Sequence, residues 1–406
     1  MSKVYDIAIL GCTGFTGRRV AWHLQEQLNS SGSGQYQVAL ASRNTEKAKK
    51  LFEATSHSYF EFVSADCSDP KSLETLARNS RVLINCTGPF SLLGEAVVKA
   101  CIDFGCHYID ITGETQFIEK THLDFYELAY KKRVLIIPSC GFDSVPSDLG
   151  LEVLRKKTLD RNIQLIEGCL EIDSGGTKLH ANATTFTSAI LGLSTKKNLK
   201  VYRQQLLRRR WKKKVSLGQK LKRLPHFDPI KKQWKLLFPG SDSTLVKISN
   251  QIRSQKAVPQ ECLPDYHVYF YLGKTLNLFK LLIMVPIVGI LTKFKWGIQL
   301  LINNPEFFTW GLFRKEGPGQ KDLETTRFNF YFQALSGGEV VERLVLRGPE
   351  PGYIATPLIV VAIAELILGG HHNQNFGVLT PSTAFDSDLL LERLKSKGFD
   401  FQYSSD

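Results

Sequence analysis

Short apolar runs alternate with amphipathic helical patterns along the first 140 residues. The first apolar run is Asp6 to Leu10, a helical pattern from Arg18 to Leu28 follows it, and the alternation continues to the run Val134 to Pro138. Because strands that alternate with helices form parallel sheets, the pattern predicts a doubly wound α/β sheet. Between these runs it predicts strands at Gln37–Ala41, Phe60–Ala65, Val82–Cys86 and Tyr108–Ile111 and helices at Asn44–Phe52, Pro70–Asn79 and Gly94–Phe104.

The pattern becomes less regular after residue 150. It still predicts a strand from Leu165 to Ile172, a helix from Ala183 to Leu193 and a hairpin around Ser336-Gly-Gly338. Two further helices are expected at Pro357–Leu368 and Leu389–Lys397. At 406 residues the chain is long enough for two or three domains.

A glycine loop joins the first predicted strand to the first helix, with the sequence Gly11-Cys-Thr13-Gly14-Phe15-Thr16-Gly17. The first glycine permits a tight turn, the second lets the backbone approach a pyrophosphate, and the third lets helix and strand pack closely. The phosphates would then meet free N–H groups at the positive end of the helix. We therefore expect dinucleotide binding here; a purely structural tight turn is the alternative.

The end of the second strand indicates which dinucleotide is bound. NAD enzymes usually place a carboxylate there for the ribose 2′-hydroxyl, whereas a 2′-phosphate needs a cation. Ser42-Arg43 stands at this position, with no carboxylate before Glu46. Arg43 is suited to bind a phosphate with its guanidinium, so NADP(H) is the expected cofactor. The alternative is that Arg43 is simply a solvated residue.

Polar loops follow the later strands, where the ligand of such a sheet lies. Asp66 ends the third strand and is assigned, with Thr87, Gly88 and Pro89, to the cofactor site. Asp110, Glu114 and Asp143 follow in the next loops, either as ligands of ribose or substrate or as caps of the following helices. Asp69, just before Pro70, is expected to be a cap. The loops are Asn85-Cys-Thr-Gly-Pro-Phe90, Asp110-Ile-Thr-Gly113-Glu114 and Ser139-Cys-Gly-Phe-Asp143.

These motifs, together with Cys140-Gly-Phe-Asp-Ser-Val-Pro-Ser-Asp-Leu-Gly150 and Gly348-Pro-Glu-Pro-Gly-Tyr-Ile-Ala-Thr-Pro357, resemble the saccharopine dehydrogenase-like oxidoreductases. The likeness is strongest to the eukaryotic lipid-droplet members, which are similar to bacterial trans-acting enoyl reductases. It implies an NADP(H)-binding Rossmann domain at 1–145, an inserted α/β (α+β) domain at 146–345 and a C-terminal segment, 346–406, that returns to the Rossmann domain. The substrate-binding residues of true saccharopine dehydrogenases have no match here, so lysine metabolism is a poor inference.

The net charge of +13 is concentrated in one segment. Residues 196–235 hold sixteen Lys and Arg against a single acid, Asp228. A concentrated basic surface suits an anionic partner, so a lipid headgroup surface and a solvated, mobile insertion are the leading interpretations. Nucleic acid is not expected, because no readout module accompanies the run.

A second unusual segment, 276–302, contains the uncharged apolar stretch Leu281 to Leu291. Eleven residues are too few to span a bilayer, which takes about 20. We expect a short hairpin bent at Pro286, or a helix in one leaflet with Lys293 and Lys295 at the surface. The alternative is a buried core helix of the second domain, or a contact in a homodimer.

The catalytic residues stay unassigned, because hydride transfer needs little from side chains beyond one acid or base. Asp143, Glu114 and Tyr353 are the first candidates to test. No metal is expected, since His371-His372 has no ligands at suitable spacing. Eight cysteines without a C-x-x-C pair indicate buried thiols, and the start of the chain lacks a signal-peptide pattern.

Two functions remain open. The first is an NADP(H)-dependent oxidoreductase that acts on a lipid or lipid-linked substrate at the cytosolic face of a membrane or on a lipid droplet. The second is a membrane-surface scaffold that binds the nucleotide without turnover. A cytosolic amino-acid dehydrogenase is disfavoured because no arginine clamp for a substrate with several carboxylates is recognisable.

Overall fold

The computed structural model describes residues 3–30, 36–53, 60–194, 196–211, 220–256, 263–372 and 375–404. The described chain falls into two compact units. The first comprises Met1–Val145 and Gly352–Leu394, and the second comprises Pro146–Pro351 and Lys395–Asp406. The division of the chain into functional domains at 145 and 345 stays a prediction.

The helices and strands of the described residues are as follows. Their chain order is β1 (Tyr5–Leu10), α1 (Phe15–Ser30), β2 (Val38–Ser42), α2 (Thr45–Leu51), β3 (Phe60–Ser64), α3 (Pro70–Asn79), β4 (Ser80–Asn85), α4 (Phe90–Asp103), β5 (His107–Asp110), α5 (Thr115–Lys131), β6 (Leu135–Ile137), α6 (Val145–Lys157), β7 (Leu165–Asp173), β8 (Ala181–Asn182), α7 (Ala183–Ser194) and α8 (Lys196–Arg209). They continue with β9 (His226–Asp228), β10 (Gln233–Leu237), α9 (Asp242–Lys256), β11 (Asp265–Tyr271), α10 (Thr275–Leu291), α11 (Lys295–Asn303), α12 (Pro305–Phe308), β12 (Phe313–Arg314), α13 (Gln320–Thr325), β13 (Arg327–Ser336), β14 (Glu339–Pro349), a π-helical turn (Pro351–Ala355), α14 (Thr356–Leu368), β15 (Gly377–Val378), α15 (Pro381–Ala384), α16 (Ser387–Lys395) and β16 (Asp400–Ser404).

The first unit contains a parallel sheet. Within the described residues it has seven strands in the order β15-β6-β5-β4-β1-β2-β3, and every pair is parallel. Its central strands are buried on both faces, which explains their nearly continuous apolar sequences. This is the predicted Rossmann-type doubly wound sheet.

The C-terminal segment contributes a central part of the first unit. Helix α14 packs against α1, β4 and β5, and β15 extends the sheet beside β6. The stretch Pro351–Leu368 is long and apolar enough for a membrane span, but 83% of it is buried inside the protein. It therefore has the character of a core helix.

The second unit contains a mixed sheet, with the order β16-β14-β13-β7-β11-β10-β9 among the described residues. Helix α6 packs closely on one face, where a side chain at Gly150 would overlap the ring of Phe332. The other face carries ion pairs, including Lys235 with Glu167 at 3.1 Å. The predicted second domain with mixed helices and strands is therefore present.

Three features of the fold differ from the sequence-based expectations. Helix α5 lies between β5 and β6, where no helix was predicted. Its apolar pattern was not recognised because the buried polar residues Glu119 and His122 interrupt it. Strand β16 pairs with β14 of the second sheet, although all of 346–406 was assigned to the first domain. The hairpin turn at Pro286, one of the two arrangements expected for this segment, is not formed. Proline removes one helical hydrogen bond, yet α10 continues through it and ends at Leu291.

Candidate functional site

The glycine loop after β1 is a close-packed backbone cradle. The N–H of Gly14 donates to the carbonyl of Gly11 at 3.0 Å, and α1 begins directly afterwards at Phe15. Gly11 has φ 86°, and a side chain at Gly17 would overlap the Gly11 carbonyl. The first-turn N–H groups of α1 have no acceptor within the helix, so the loop suits a pyrophosphate.

The described geometry brings the predicted site residues to one edge of the first sheet. Each lies at or just after the carboxyl end of β1, β2, β3 or β4, where ligands of open α/β sheets lie. Their individual contacts with the nucleotide stay predictions. The residues are Gly11, Thr13, Gly14, Phe15, Thr16, Gly17, Ser42, Arg43, Asp66, Thr87, Gly88 and Pro89; the peptide bond between Gly88 and Pro89 is cis.

The adenosine end of this edge carries one exposed cation, Arg43. The neighbouring Ser42 is buried and its hydroxyl donates to the Asn44 carbonyl at 2.9 Å, so it shapes the loop. Asp66 accepts the backbone N–H and the hydroxyl of Ser68, both at 2.8 Å. These hydrogen bonds, with a smaller contribution from Arg43, lower the pKa of Asp66.

A buried hydrogen-bonded chain joins the ends of β4 and β5. Asn85 donates its amide N–H to the Tyr108 hydroxyl at 3.2 Å, and that hydroxyl donates to Asp110 at 2.8 Å. The second oxygen of Asp110 accepts the backbone N–H groups of Thr112 at 2.9 Å and Ser139 at 2.8 Å. Asp110 thus ties together the loops after β5 and β6. Asp110 was expected at this site from the sequence, whereas Tyr108 was not.

Asp110 is completely buried, and its burial raises the pKa of the carboxyl to about 7. The three hydrogen bonds that it accepts act in the opposite direction because they favour the carboxylate. With no exposed surface, Asp110 cannot contact a substrate directly. Its role in this geometry is to position the surrounding loops.

Glu114 caps a helix other than the one that follows it. Its two carboxylate oxygens accept the backbone N–H groups of Phe90 at 2.8 Å and Ser91 at 2.9 Å, at the start of α4. Carboxylates are favoured at the positive end of a helix. Glu114 is therefore a cap, but not of the following helix as expected, because its side chain makes no cap hydrogen bond at the start of α5. Asp69 does cap the following helix α3, by accepting the N–H of Lys71 at 3.1 Å.

The loop after β6 presents Asp143. The backbone N–H of Phe142 donates to the Thr356 hydroxyl at 3.0 Å, and the Ser144 hydroxyl pairs with that of Ser139. Asp143 lies between these fixed neighbours and is exposed. A Cβ added to Gly113 would stand 3.5 Å from Oδ2 of Asp143, so the carboxylate faces the loop after β5.

Tyr353, the third ionisable candidate, is only 6% exposed. Its ring meets that of Phe15 edge-to-face, with centroids 4.7 Å apart. Such aromatic pairs stabilise by about 1 kcal/mol beyond their burial. This contact gives Tyr353 a packing role against the start of α1.

The thiols near the cofactor edge are not suited to nucleophilic chemistry. Burial raises the pKa of Cys12 to about 12 and that of Cys140 well above its usual range. A thiol is reactive mainly as the thiolate, which these environments disfavour. Among the described residues no group of three or more His, Cys, Asp or Glu is arranged to hold a metal ion.

The parallel sheet, the glycine cradle and the cation after β2 define an NADP(H)-binding protein of the Rossmann class. Residues 7–137 match the sequence profile described as the saccharopine dehydrogenase NADP binding domain. NADP(H) is therefore the cofactor of this domain.

The chain belongs to the saccharopine dehydrogenase-like oxidoreductase family. It is 32% identical to the human saccharopine dehydrogenase-like oxidoreductase over 99% of this chain and 98% of the relative. It is 31% identical to a probable mitochondrial member from Arabidopsis thaliana, over 99% and 97%. A Caenorhabditis elegans lipid droplet localized protein is 28% identical over 99% of both chains.

The fold has a counterpart among solved structures. Saccharopine dehydrogenase (L-Glu forming) from Saccharomyces cerevisiae superposes with a TM-score of 0.57, covering 99% of this chain and 100% of that one. At 15% identity this similarity concerns the fold alone.

Proposed function

We propose that this protein is an NADP(H)-dependent oxidoreductase that acts on a lipid or lipid-linked substrate at a membrane or lipid-droplet surface. When bound, the cofactor supplies or accepts a hydride. The cofactor domain and the family support the redox part of the proposal. The observation that carries the lipid part is the exposed apolar surface of α10.

Helix α10 is apolar on two faces. One face, with Met284, Val288 and Leu291, packs on a small cluster that includes Phe186 and Leu301. The other face points away from this cluster, and Leu278 is the one buried residue of α10. The interpretation as a buried core helix is therefore wrong for the chain by itself. The large exposed side chains of this face are Leu276, Phe279, Leu282, Ile283, Val285, Ile287 and Ile290.

The rim of this surface is basic and aromatic. No acid occurs between Asp265 and Glu306, whereas Lys274, Lys280, Lys293 and Lys295 fall in that interval. Trp296 is 61% exposed and stacks on Phe294. The ammonium of Lys280 lies 5.5 Å from the ring centre of Trp310. Tryptophans and lysines around an apolar face are typical of helices that lie in a lipid interface.

The exposed apolar area of this surface supports the lipid proposal. Seven half-exposed aliphatic and aromatic side chains recover about 1 kcal/mol each, or roughly 7 kcal/mol in all, before ordering costs. Lysines near anionic headgroups add about 1 kcal/mol each. Helix α10 has seventeen residues, fewer than a span takes, so we propose insertion into a single leaflet or monolayer.

The basic segment supports the same proposal in part. Helix α8 exposes Lys200, Arg203, Arg208 and Arg209. Of these, Lys200 and Arg203 line an open groove of about 410 Å³ together with apolar residues of the same helix. Other cations of the segment are already paired, since Lys235 lies 3.1 Å from Asp228. Residues 212–219, which contain the densest basic run, lie outside the described residues.

The docking surface can be tested by flotation with vesicles of phosphatidylcholine and phosphatidylserine, and with triolein droplets coated by the same lipids. We expect the Ile283→Glu, Ile290→Glu double variant to lose more than tenfold in bound fraction. The matched control is Ile230→Glu, which replaces an isoleucine that is 90% exposed elsewhere in the second unit. Equal binding by all three proteins would contradict the proposed surface.

The redox activity can be tested by following the absorbance of NADPH while purified protein is mixed with fractionated lipid extracts. Consumption with one lipid class supports the enzyme. The second candidate is a nucleotide-binding scaffold without turnover. It is favoured if NADPH binds but no lipid fraction is reduced by NADPH and none is oxidised by NADP⁺. The missing catalytic signature in the sequence is the observation behind it.

For localisation we propose a lipid droplet or the cytosolic face of a membrane. The name of the C. elegans relative supports the droplet, whereas the Arabidopsis relative is called mitochondrial. Imaging of the tagged protein with droplet and mitochondrial dyes separates the two. We expect the double variant described above to become diffuse.

A further inference from the structure

The nicotinamide half of the cofactor edge contains three carboxylates, and their surroundings differ sharply. Each half of a doubly wound sheet binds one mononucleotide of the cofactor. The half formed by β4, β5 and β6 lies away from Arg43, which is expected to bind the 2′-phosphate of the adenosine, so this half is expected to bind the nicotinamide. Asp110, Glu114 and Asp143 follow strands of this half. An oxidoreductase needs one group here that exchanges a proton with the substrate.

Two of the three carboxylates are occupied by structural tasks. Asp110 is completely buried and accepts three hydrogen bonds, so a substrate has no access to it. Glu114 is 5% exposed and uses both oxygens to hold the start of α4. Neither the Asp110 nor the Glu114 carboxylate could exchange a proton with a ligand without breaking these hydrogen bonds.

Asp143 differs from both because it reaches solvent while its backbone is held rigidly. The N–H of Phe142 is fixed by Thr356, and the hydroxyl of Ser144 is fixed by Ser139. Ser139 itself has φ 65°, in the left-handed region that serine seldom adopts. Such backbone strain concentrates at functional sites.

Two glycines lie close to the loop of Asp143. Its Oδ2 faces Gly113, where an added Cβ would make an ordinary van der Waals contact at 3.5 Å. Gly141, two residues earlier, is packed against Thr356, whose methyl group would lie 3.2 Å from an added Cβ. The loop is therefore closely packed against Thr356.

We propose that Asp143 is the catalytic acid and base of this protein. This inference rests on the proposed redox function. In the reductive direction the cofactor supplies the hydride, and the Asp143 carboxyl supplies the accompanying proton. Its O–H bond breaks as a new O–H or C–H bond forms on the substrate, and water then reprotonates the carboxylate. One reduced cofactor and one proton are consumed for each substrate reduced.

The electrostatics of the site agree with this role. Although Asp143 reaches solvent, the protein packed around it removes part of its hydration, and this desolvation raises its pKa above the usual aspartate range. The carboxyl therefore retains a proton closer to neutral pH. The other ionisable side chains of the neighbouring loops are Asp110, Glu114, Cys86 and Cys140. Burial raises the pKa of both thiols well above the usual range, so they stay neutral in this pH range. Asp110 titrates near pH 7, so its contribution must be separated by experiment.

The test does not depend on turnover. The oxidised nicotinamide is positively charged and the reduced ring is neutral, so ionised Asp143 should strengthen NADP⁺ binding and leave NADPH binding nearly constant. Calorimetry across the titration range should show NADP⁺ affinity rising several-fold with pH in the wild type. We expect this step to disappear in Asp143→Asn and to persist in Asp110→Asn.

The matched control is Asp69→Asn, an exposed substitution in the first unit that keeps a good helix cap. It should retain the pH step and the NADPH affinity. A wild type without a pH step, or a step that survives in Asp143→Asn, overturns the assignment.

Turnover gives a second readout. With a lipid fraction that wild type reduces, Asp143→Asn should lower kcat by about a hundredfold or more while the Kd for NADPH changes less than twofold. Asp143→Glu should restore part of kcat. Unchanged kcat in Asp143→Asn refutes the role of Asp143 and leaves the oxidoreductase proposal intact. Failure of wild type on every lipid fraction instead refutes the oxidoreductase proposal, and the NADP⁺ step then still decides whether Asp143 faces the nicotinamide.

Discussion

Gly11 and Thr87 stand so close together that a Cβ on Gly11 would lie 2.5 Å from the Thr87 hydroxyl oxygen. This contact joins the glycine loop after β1 to the loop after β4. The two halves of the cofactor edge are thus locked to each other by an approach that only glycine permits. Gly11 also has φ 86°, so its backbone disfavours any other residue.

We expect Gly11→Ala to destabilise the protein by about 2 kcal/mol and to weaken NADPH binding by more than tenfold, since it adds strain and displaces Thr87. Chemical denaturation and NADPH fluorescence would measure the two effects. Gly192→Ala is the control, because its site in α7 is open. A Gly11→Ala protein with wild-type affinity would show that the cradle is not needed.

The choice between NADP(H) and NAD(H) should depend on Arg43. Arg43→Ala is expected to raise the Kd for NADPH by about tenfold or more, because a charge-assisted hydrogen bond contributes roughly 1.5 to 3 kcal/mol. The Kd for NADH should remain within twofold. Arg78→Ala, at a surface ion pair with Glu74 on α3, is the control. Equal losses for both nucleotides would exclude a 2′-phosphate contact.

Asp110 should make stability depend on pH. Its pKa of about 7 in the folded protein lies above the ordinary aspartate value of 3.8, so between about pH 4 and pH 7 the folded state holds a proton that the unfolded state has lost. The free energy of unfolding should therefore fall as pH rises through this window. Urea denaturation should show a weaker fall in Asp110→Asn. An identical slope in both proteins would contradict the buried ionisation.

Glu114 should contribute to stability through α4. Glu114→Gln removes the charge at the positive end of the helix and leaves one oxygen for two N–H donors. We expect a loss of about 1 to 2 kcal/mol in the free energy of unfolding. Thermal denaturation would measure it, with exposed Glu127→Gln on α5 as the control. No loss of stability would mean that water replaces the cap at little cost.

The pattern of the sequence was sufficient to predict the parallel sheet and most of its helices. Local periodicity and the glycine loop determine those elements, and both are visible in one chain. The turn between α10 and α11 was predicted too early, at Pro286. Proline disfavours a helix interior, but α10 continues through Pro286 because neighbouring residues of the helix are held by packing.

The candidate site was only partly predictable. The residues of the glycine loop and Arg43 follow from spacing, whereas the partners of Glu114 and Tyr108 lie more than twenty residues away along the chain. Contacts of that kind depend on strand order, which the sequence pattern does not determine. The sequence could therefore nominate three carboxylates but could not tell which of them reaches solvent.

Helix α14 has one further consequence, for biosynthesis. The unit that receives the nucleotide borrows this buried helix, and strand β15 after it, from beyond residue 351. When only the first 145 residues have been translated, helix α14 does not yet exist. The apolar side chains of β4 and β5 that it will cover are then exposed. We expect the nascent amino-terminal part to need chaperone protection until translation approaches the end, and carboxyl-terminal truncations to be degraded.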